Sequence, residues 1–189
     1  MTQDAALKLV DELVTSPNLK KHLLACETIM QSLFDYFQEK GNVDFGSKTD
    51  WGNVGLLHDA DQDVTGKSME LHTEEITKKL QALNEPQQVI DAIRGHADKA
   101  PRITMMAKAM YATDELSGLI VAATLIRPDR QIANLTAESV LKRFKESSFA
   151  KGANRDMIKT CEPELGITLA EFVEIALSAM QKIAGKIGL

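Results

Sequence analysis

Four histidines occur in the chain, and His22, His58, His72 and His96 fall in one order with Asp59 and Asp114: a histidine, a His-Asp pair, two histidines, an aspartate. Imidazole nitrogen and carboxylate oxygen form a donor set suited to Zn, Mn, Fe or Ni ions. His22, His58, Asp59 and Asp114 are enough to complete one metal centre, and His72 with His96 can supply a second, bridged by Asp59. Taken singly, each residue has a plainer reading. A His-Asp pair arises often by chance, and a histidine after Leu56 and Leu57 is commonly a hydrogen-bonded core residue. His72 in ELHTEE suits an exposed helix, and His96 in IRGHAD a polar loop. Asp114 is harder to dismiss. A carboxylate in the middle of MMAKAMYATDELSGLIVAATLI is costly to bury without a cationic partner, unless Asp114 and Glu115 share a solvated stripe with Lys108. Ser117 and Gly118, about one turn later, leave that face small enough to admit a neighbouring helix or a ligand.

The elements that must position these residues are helices. Apolar residues recur at three- and four-residue spacing in almost every segment, and strand-like alternation is absent, so the expected class is all-α. Ser16 and Pro17 open a long helix that continues to Gly41 and carries His22 in its first turns. Asp50 caps a short helix, Trp51 to Leu57, that ends near His58 and Asp59; Ala60 to Ser68 is a loop. A helix from about Met69 to Leu83 carries His72 near its start. Another, Gln87 to Arg94, ends at Gly95, with His96 next. Asp114 lies mid-way along a helix from about Ile103 to Ile126, stopped by Pro128. Helices follow near 137–145 and 154–161, and a last one, Leu169 to Ile187, opens with the capping box of Thr168 and Glu171. Met105, Met106 and Met110, and the face formed by Phe172, Val173, Ala176, Met180, Ile183 and Ile187, read as core packing, with a homodimer interface as the alternative.

Composition narrows the classes. The 189 residues, 44% of them hydrophobic, suit one domain, with a site-bearing core over about 16–127 and a helical extension over about 128–189. A net charge of −5 argues against a general nucleic-acid or anionic-membrane binder. The N-terminal residues lack the basic start and apolar run of a secretory signal, and no segment approaches a membrane span, so a cytoplasmic location is expected. Cys26 and Cys161 form neither a disulfide framework nor a metal-binding pair motif; they read as reduced, partly buried packing residues.

The strings WGNVGLLHDADQD, HTEEI, IRGH, YATDELSGLIVAATLIRP and KRFKESSFAKGANRDMI resemble the HD-domain superfamily, in particular its HDIG-like predicted hydrolases, over most of the chain. The resemblance implies a first metal on His22, His58, Asp59 and Asp114, and in dinuclear members a second on His72 and His96. It also implies one or two divalent ions per chain, drawn from Mn, Fe, Zn, Ni or Mg. The turn reads HDAD where many relatives read HDIG, and the GYP signature of cyclic dinucleotide phosphodiesterases is missing. The expected reaction is hydrolysis of a small phosphorylated substrate, a phosphomonoester or phosphodiester such as a nucleotide, by a metal-activated hydroxide. Asp59 would be central to it, with Asp61 and Asp63 as supporting partners or a proton acceptor, or else as solvated loop residues. Lys142, Lys145 and Arg155 are the expected phosphate-binding cations, with a solvated surface as the alternative. Two rival functions share the same residues: a mixed-valence di-iron oxygenase and a non-catalytic module that binds a nucleotide or a partner.

Overall fold

A computed structural model describes residues 1–189 as helices joined by turns, with no strand. The first helix, α1 (Gln3–Leu13), lies in a stretch read above only for what it lacks. Ala6, Val10 and Leu13 are buried along one face of α1, and Thr2 caps it. In α2 (Pro17–Glu39), the Ser16 hydroxyl accepts from the Leu19 amide and Pro17 occupies the first turn, as its sequence indicates. The third helix, α3 (Lys48–Leu57), starts three residues earlier than expected. Ser47 is its cap, and Asp50 is the reciprocal partner in a capping box.

Helices α2 and α3 pack tightly because of Gly55. A Cβ there would lie 2.6 Å from the backbone carbonyl of Cys26, closer than any real contact. This approach brings the end of α3, where His58 and Asp59 stand, beside the first turns of α2, where His22 stands.

The expected helix from Met69 is shorter, α4 (Glu74–Ala82), and His72 lies in the turn before it. Asp61 is the cause. Its carboxylate accepts the amides of Thr73, Glu75 and Ile76 at 3.0, 3.1 and 3.3 Å, so it terminates the helix from outside. Thr73 adopts a left-handed conformation, φ 68°, that turns His72 off the helical path. In α5 (Gln87–His96) the helix runs through Gly95 and includes His96. Gly95 does not end it with a positive φ; the Arg102 side chain packs 3.1 Å from the position of an added Cβ.

The central helix, α6 (Met105–Leu125), begins two residues late, at the Thr104 cap. It packs on α2 and α5, and its buried positions include Met106, Met110, Thr113 and Ser117. Beyond it, α7 (Ala137–Lys145) matches its expected bounds. The helix expected near 154–161 is α8 (Arg155–Lys159), an unexpected short helix, α9 (Cys161–Leu165), follows it, and the last breaks at Ile183 into α10 (Leu169–Lys182) and α11 (Ala184–Ile187). Helix α10 packs on α2 and α7. Phe172, Val173, Ala176, Met180, Met106 and Met110 are buried in a single apolar cluster that runs from Ala6 to Ile187, so those faces serve the core. Both cysteines are buried and free. No helix is long and apolar enough to cross a membrane.

Candidate metal centre

All four imidazoles and both aspartates converge where α2, α3, α6 and the end of α5 meet. His22 Nε2 and His58 Nε2 lie 3.1 Å apart. Asp114 Oδ1 is 3.1 Å from the first and 3.5 Å from the second. On the other side, His72 Nε2 and His96 Nε2 lie 2.9 Å apart. Asp59 stands between the two pairs and turns one oxygen to each. Its Oδ2 is 3.7 Å from both His22 and His58, and its Oδ1 is 3.2 Å from both His72 and His96.

The hydrogen bonds on the far side of each ring set its tautomer. His58 Nδ1 donates to the Gly55 carbonyl at 2.9 Å, and His96 Nδ1 donates to the Ile93 carbonyl. His72 Nδ1 donates to Asp61 Oδ1 at 3.3 Å. The Ser117 hydroxyl spends its own proton on the Asp114 carbonyl, at 2.9 Å, and so accepts from His22 Nδ1 at 3.0 Å. Every Nε2 is therefore a bare lone pair, and the pairs face each other at about hydrogen-bond distance. Such an arrangement is repulsive unless a cation lies among them. Nitrogen and carboxylate donors with fixed outer partners fit a divalent ion. The donor set offers four atoms around His22 and His58 and three around His72 and His96.

Without an ion, protons would hold these groups together. Burial opposes protonation of His72, but Asp59 and Asp61 outweigh it and raise its pKa to about 9. Burial likewise opposes protonation of His22, and the Cys26 sulfur and Asp114 overcome it, so its pKa is also raised. Asp59 and Asp114 are pushed up by burial and pulled down further by the surrounding histidines; both end well below the usual carboxylate range.

The site opens into a cleft of about 340 Å³ lined by Asp59, His72, His96, Asp114, Lys67 and Met157, among others. Of the two roles read for Asp61, the structure favours the supporting one: it is fully buried and gives its oxygens to three backbone amides and His72, which leaves no capacity as a proton acceptor. The other charged residues read for the site need correction. Asp63 lies elsewhere and accepts the amides of Thr15 and Ser16, both at 2.7 Å, ahead of α2. Arg155 is committed to the carbonyls of Phe144, Phe149, Ala150 and Ala153, and it does not line the cleft. Lys142 and Lys145 are exposed on α7 and also lie off the cleft.

Lys67 is the cation that the cleft does contain, with Gln62, Asp98 and Glu115 as further polar groups. Gln62 hydrogen-bonds Asp59. Glu115 accepts the Asn154 amide at 2.8 Å, and burial raises its pKa. None was singled out for the site above except Glu115, and that only as a solvated neighbour of Asp114. The spacing of Gln62, three residues past Asp59, was the available signal.

An HD domain model matches residues 19–119, which include all six converging residues. The chain is 29% identical over 118 residues to a ribonuclease Y of Lactobacillus acidophilus, a match covering 59% of this chain and 21% of that relative. The chain thus spans about a fifth of the length of the curated relative it matches. No solved structure matches. With more than half of its residues inside the family model and its histidines and aspartates gathered at one point, the chain belongs to the HD domain family.

Proposed function

We propose that this protein is a metal-dependent phosphohydrolase that cleaves phosphate esters at a two-metal centre. One observation carries the reading: Asp59 directs one oxygen to the His22–His58 pair and the other to the His72–His96 pair, so two ions can share it. His22, His58, Asp59 and Asp114 would hold one ion, and His72, His96 and Asp59 the other. Divalent ions in such a pair lower the pKa of water and neutralise charge on phosphoryl oxygens.

The residues do the rest. Four Nδ1–H donors locked by Gly55, Ile93, Asp61 and Ser117 keep the rings oriented without reorganisation. Three protein donors around His72 and His96 leave coordination positions open towards the cleft for substrate. Lys67 can meet a phosphoryl oxygen, replacing the role first assigned to Lys142, Lys145 and Arg155. The similarity to a protein named as a ribonuclease supports chemistry at a phosphate ester. The chain's net charge of −5 and the acidic Asp98 and Glu115 in the cleft favour a small substrate over a long polyanion.

The test is metal content by elemental analysis after anaerobic purification, together with phosphate release. Two ions per chain, falling to about one in the His72→Ala, His96→Ala variant, with ester hydrolysis by the native protein, is the expected result. Oxygen consumption by bound iron without phosphate release would overturn it in favour of oxidation. No metal after reconstitution would leave a binding module.

A further inference from the structure

A second hollow, of about 380 Å³, reaches His22 and shares no residue with the cleft described above. A shallow, open passage lies between the two: it touches Asp114 and Glu115, which also line the cleft, and His22 and Gly118, which also line the hollow. His22 and Asp114 therefore stand between the cleft and the hollow. We propose that the hollow receives the second, apolar ester arm of a phosphodiester whose phosphorus sits between His22, Asp114 and the His72–His96 pair. This rests on the phosphohydrolase reading and narrows it from esters in general to diesters.

Helix geometry builds the hollow. Asp114, Gly118, Val121 and Leu125 follow at intervals of four, three and four along α6, so they form one line on its surface. Asn18, His22 and Ala25 do the same on α2. The two lines start from metal ligands or pass through one, and Ala25, Val121, Leu125, Ile187 and Leu189 supply the apolar lining of the hollow. Leu125 remains 48% exposed, so apolar surface there has no partner within the chain. A preformed apolar hollow running up to polar, reactive groups is the usual form of a small-molecule site.

Gly118 marks the passage. An added Cβ would meet no atom within 4 Å, and the residue is helical, so neither close packing nor a positive φ calls for glycine. Its effect is to leave the way open between the ligands and the hollow. The opposite side of the passage is formed by Ala150, Gly152 and Ala153. Arg155 holds that segment by hydrogen bonds to the Phe149, Ala150 and Ala153 carbonyls, and the Asn154 amide ties it to Glu115. The arginine thus shapes the groove without meeting phosphate. Lys21 also lines the hollow, with its ammonium group beside Gly188.

A phosphomonoester has one organic arm and would fill one branch. A diester has two, and the two branches meet at the ligands. In the reaction, water adds at phosphorus, the bond to one ester oxygen breaks, and that oxygen leaves with a proton from the water. The products are a phosphomonoester in one branch and an alcohol in the other.

The experiment uses zinc-loaded full-length protein with labelled methyl groups, titrated with diphenyl phosphate or phenylphosphonate and followed by NMR. The methyls of Met69 and Met157 report the cleft, and those of Val121 and Leu125 report the hollow. Diphenyl phosphate is expected to shift both sets, and phenylphosphonate the methionines alone. Gly118→Leu fills open space on a helix, so it folds, and it should lower the affinity for diphenyl phosphate relative to phenylphosphonate by about tenfold, the worth of excluding one ring. Methionine shifts with both probes but none at Val121 or Leu125 would overturn the second-arm assignment and leave the phosphohydrolase reading standing. No shift with either probe would overturn both.

Discussion

Asp61 shows how far a single buried carboxylate can reach. It caps the start of a helix, fixes the turn that carries His72, and sets the tautomer of that ring, all through hydrogen bonds to one side chain. Replacement by asparagine keeps the volume but removes the charge and half of the accepting capacity. Asp61→Asn should lose about 2–3 kcal/mol of stability in denaturant titrations, the range for hydrogen bonds to a charged group. It should also weaken zinc at the His72–His96 pair by about 10–100-fold, the usual effect of removing an outer partner. A stable variant with native stoichiometry and affinity would contradict this role. The raised pKa of His72, about 9, has two consequences of opposite sign. An ion must displace its proton, so zinc affinity measured by competition with a chelator should rise with pH through neutrality and level off above about 9. In the metal-free protein, the stability contributed by the protonated ring is full below the unfolded value of about 6.5 and disappears as pH passes the folded one.

At the scale of helices, the contact between α2 and α3 sets the spacing of the site. Gly55 lets the two backbones approach, and its carbonyl then orients His58. Gly55→Ala forces a methyl group against the Cys26 carbonyl, where neither side can yield by rotating a side chain. The expected cost is about 1–3 kcal/mol, as for other overpacked positions. Circular-dichroism melts should show it as a loss of roughly 2–12 °C for a chain of this size. An unchanged melting temperature would mean that the helices can separate without penalty. The helix boundaries teach a related lesson. Start signals carried by local side chains, Ser16 with Pro17 and Thr168 with Glu171, were legible because capping partners lie within three residues. The start of α4 was not legible, because its cap is Asp61, twelve or more residues away. Gly95 misled for a similar reason: it is small to accommodate Arg102, not to end a helix.

For the whole molecule, the six converging groups leave the metal-free protein with buried carboxylates and protons held on crowded imidazoles, and a bound ion takes the place of those protons. Zinc at about a hundredfold excess over its dissociation constant should add about 2.7 kcal/mol of stability, seen as a rise of roughly 5–11 °C in the melting temperature. A chelator should reverse it. If the melting temperature ignores zinc while the protein stays folded, the centre does not bind it. The apolar cluster that spans the chain from Ala6 to Ile187 ties this centre to the C-terminal helices. Loss of an ion should therefore be felt beyond the residues that hold it.

The sequence by itself determined the helical class, the bounds of α7, and the six residues that meet, because helical periodicity is local and because metal-binding donors are few chemical types in a short chain. The tertiary structure alone decided how they meet. Asp59 standing between two histidine pairs and Ser117 orienting the ring of His22 are contacts between distant segments, and Arg155 is turned inward to carbonyls by the path of its own loop. Charge and spacing marked Arg155, Lys142 and Lys145 as available. Which cations face the cleft depends on loop paths and on competing carbonyl acceptors, and no local pattern records those.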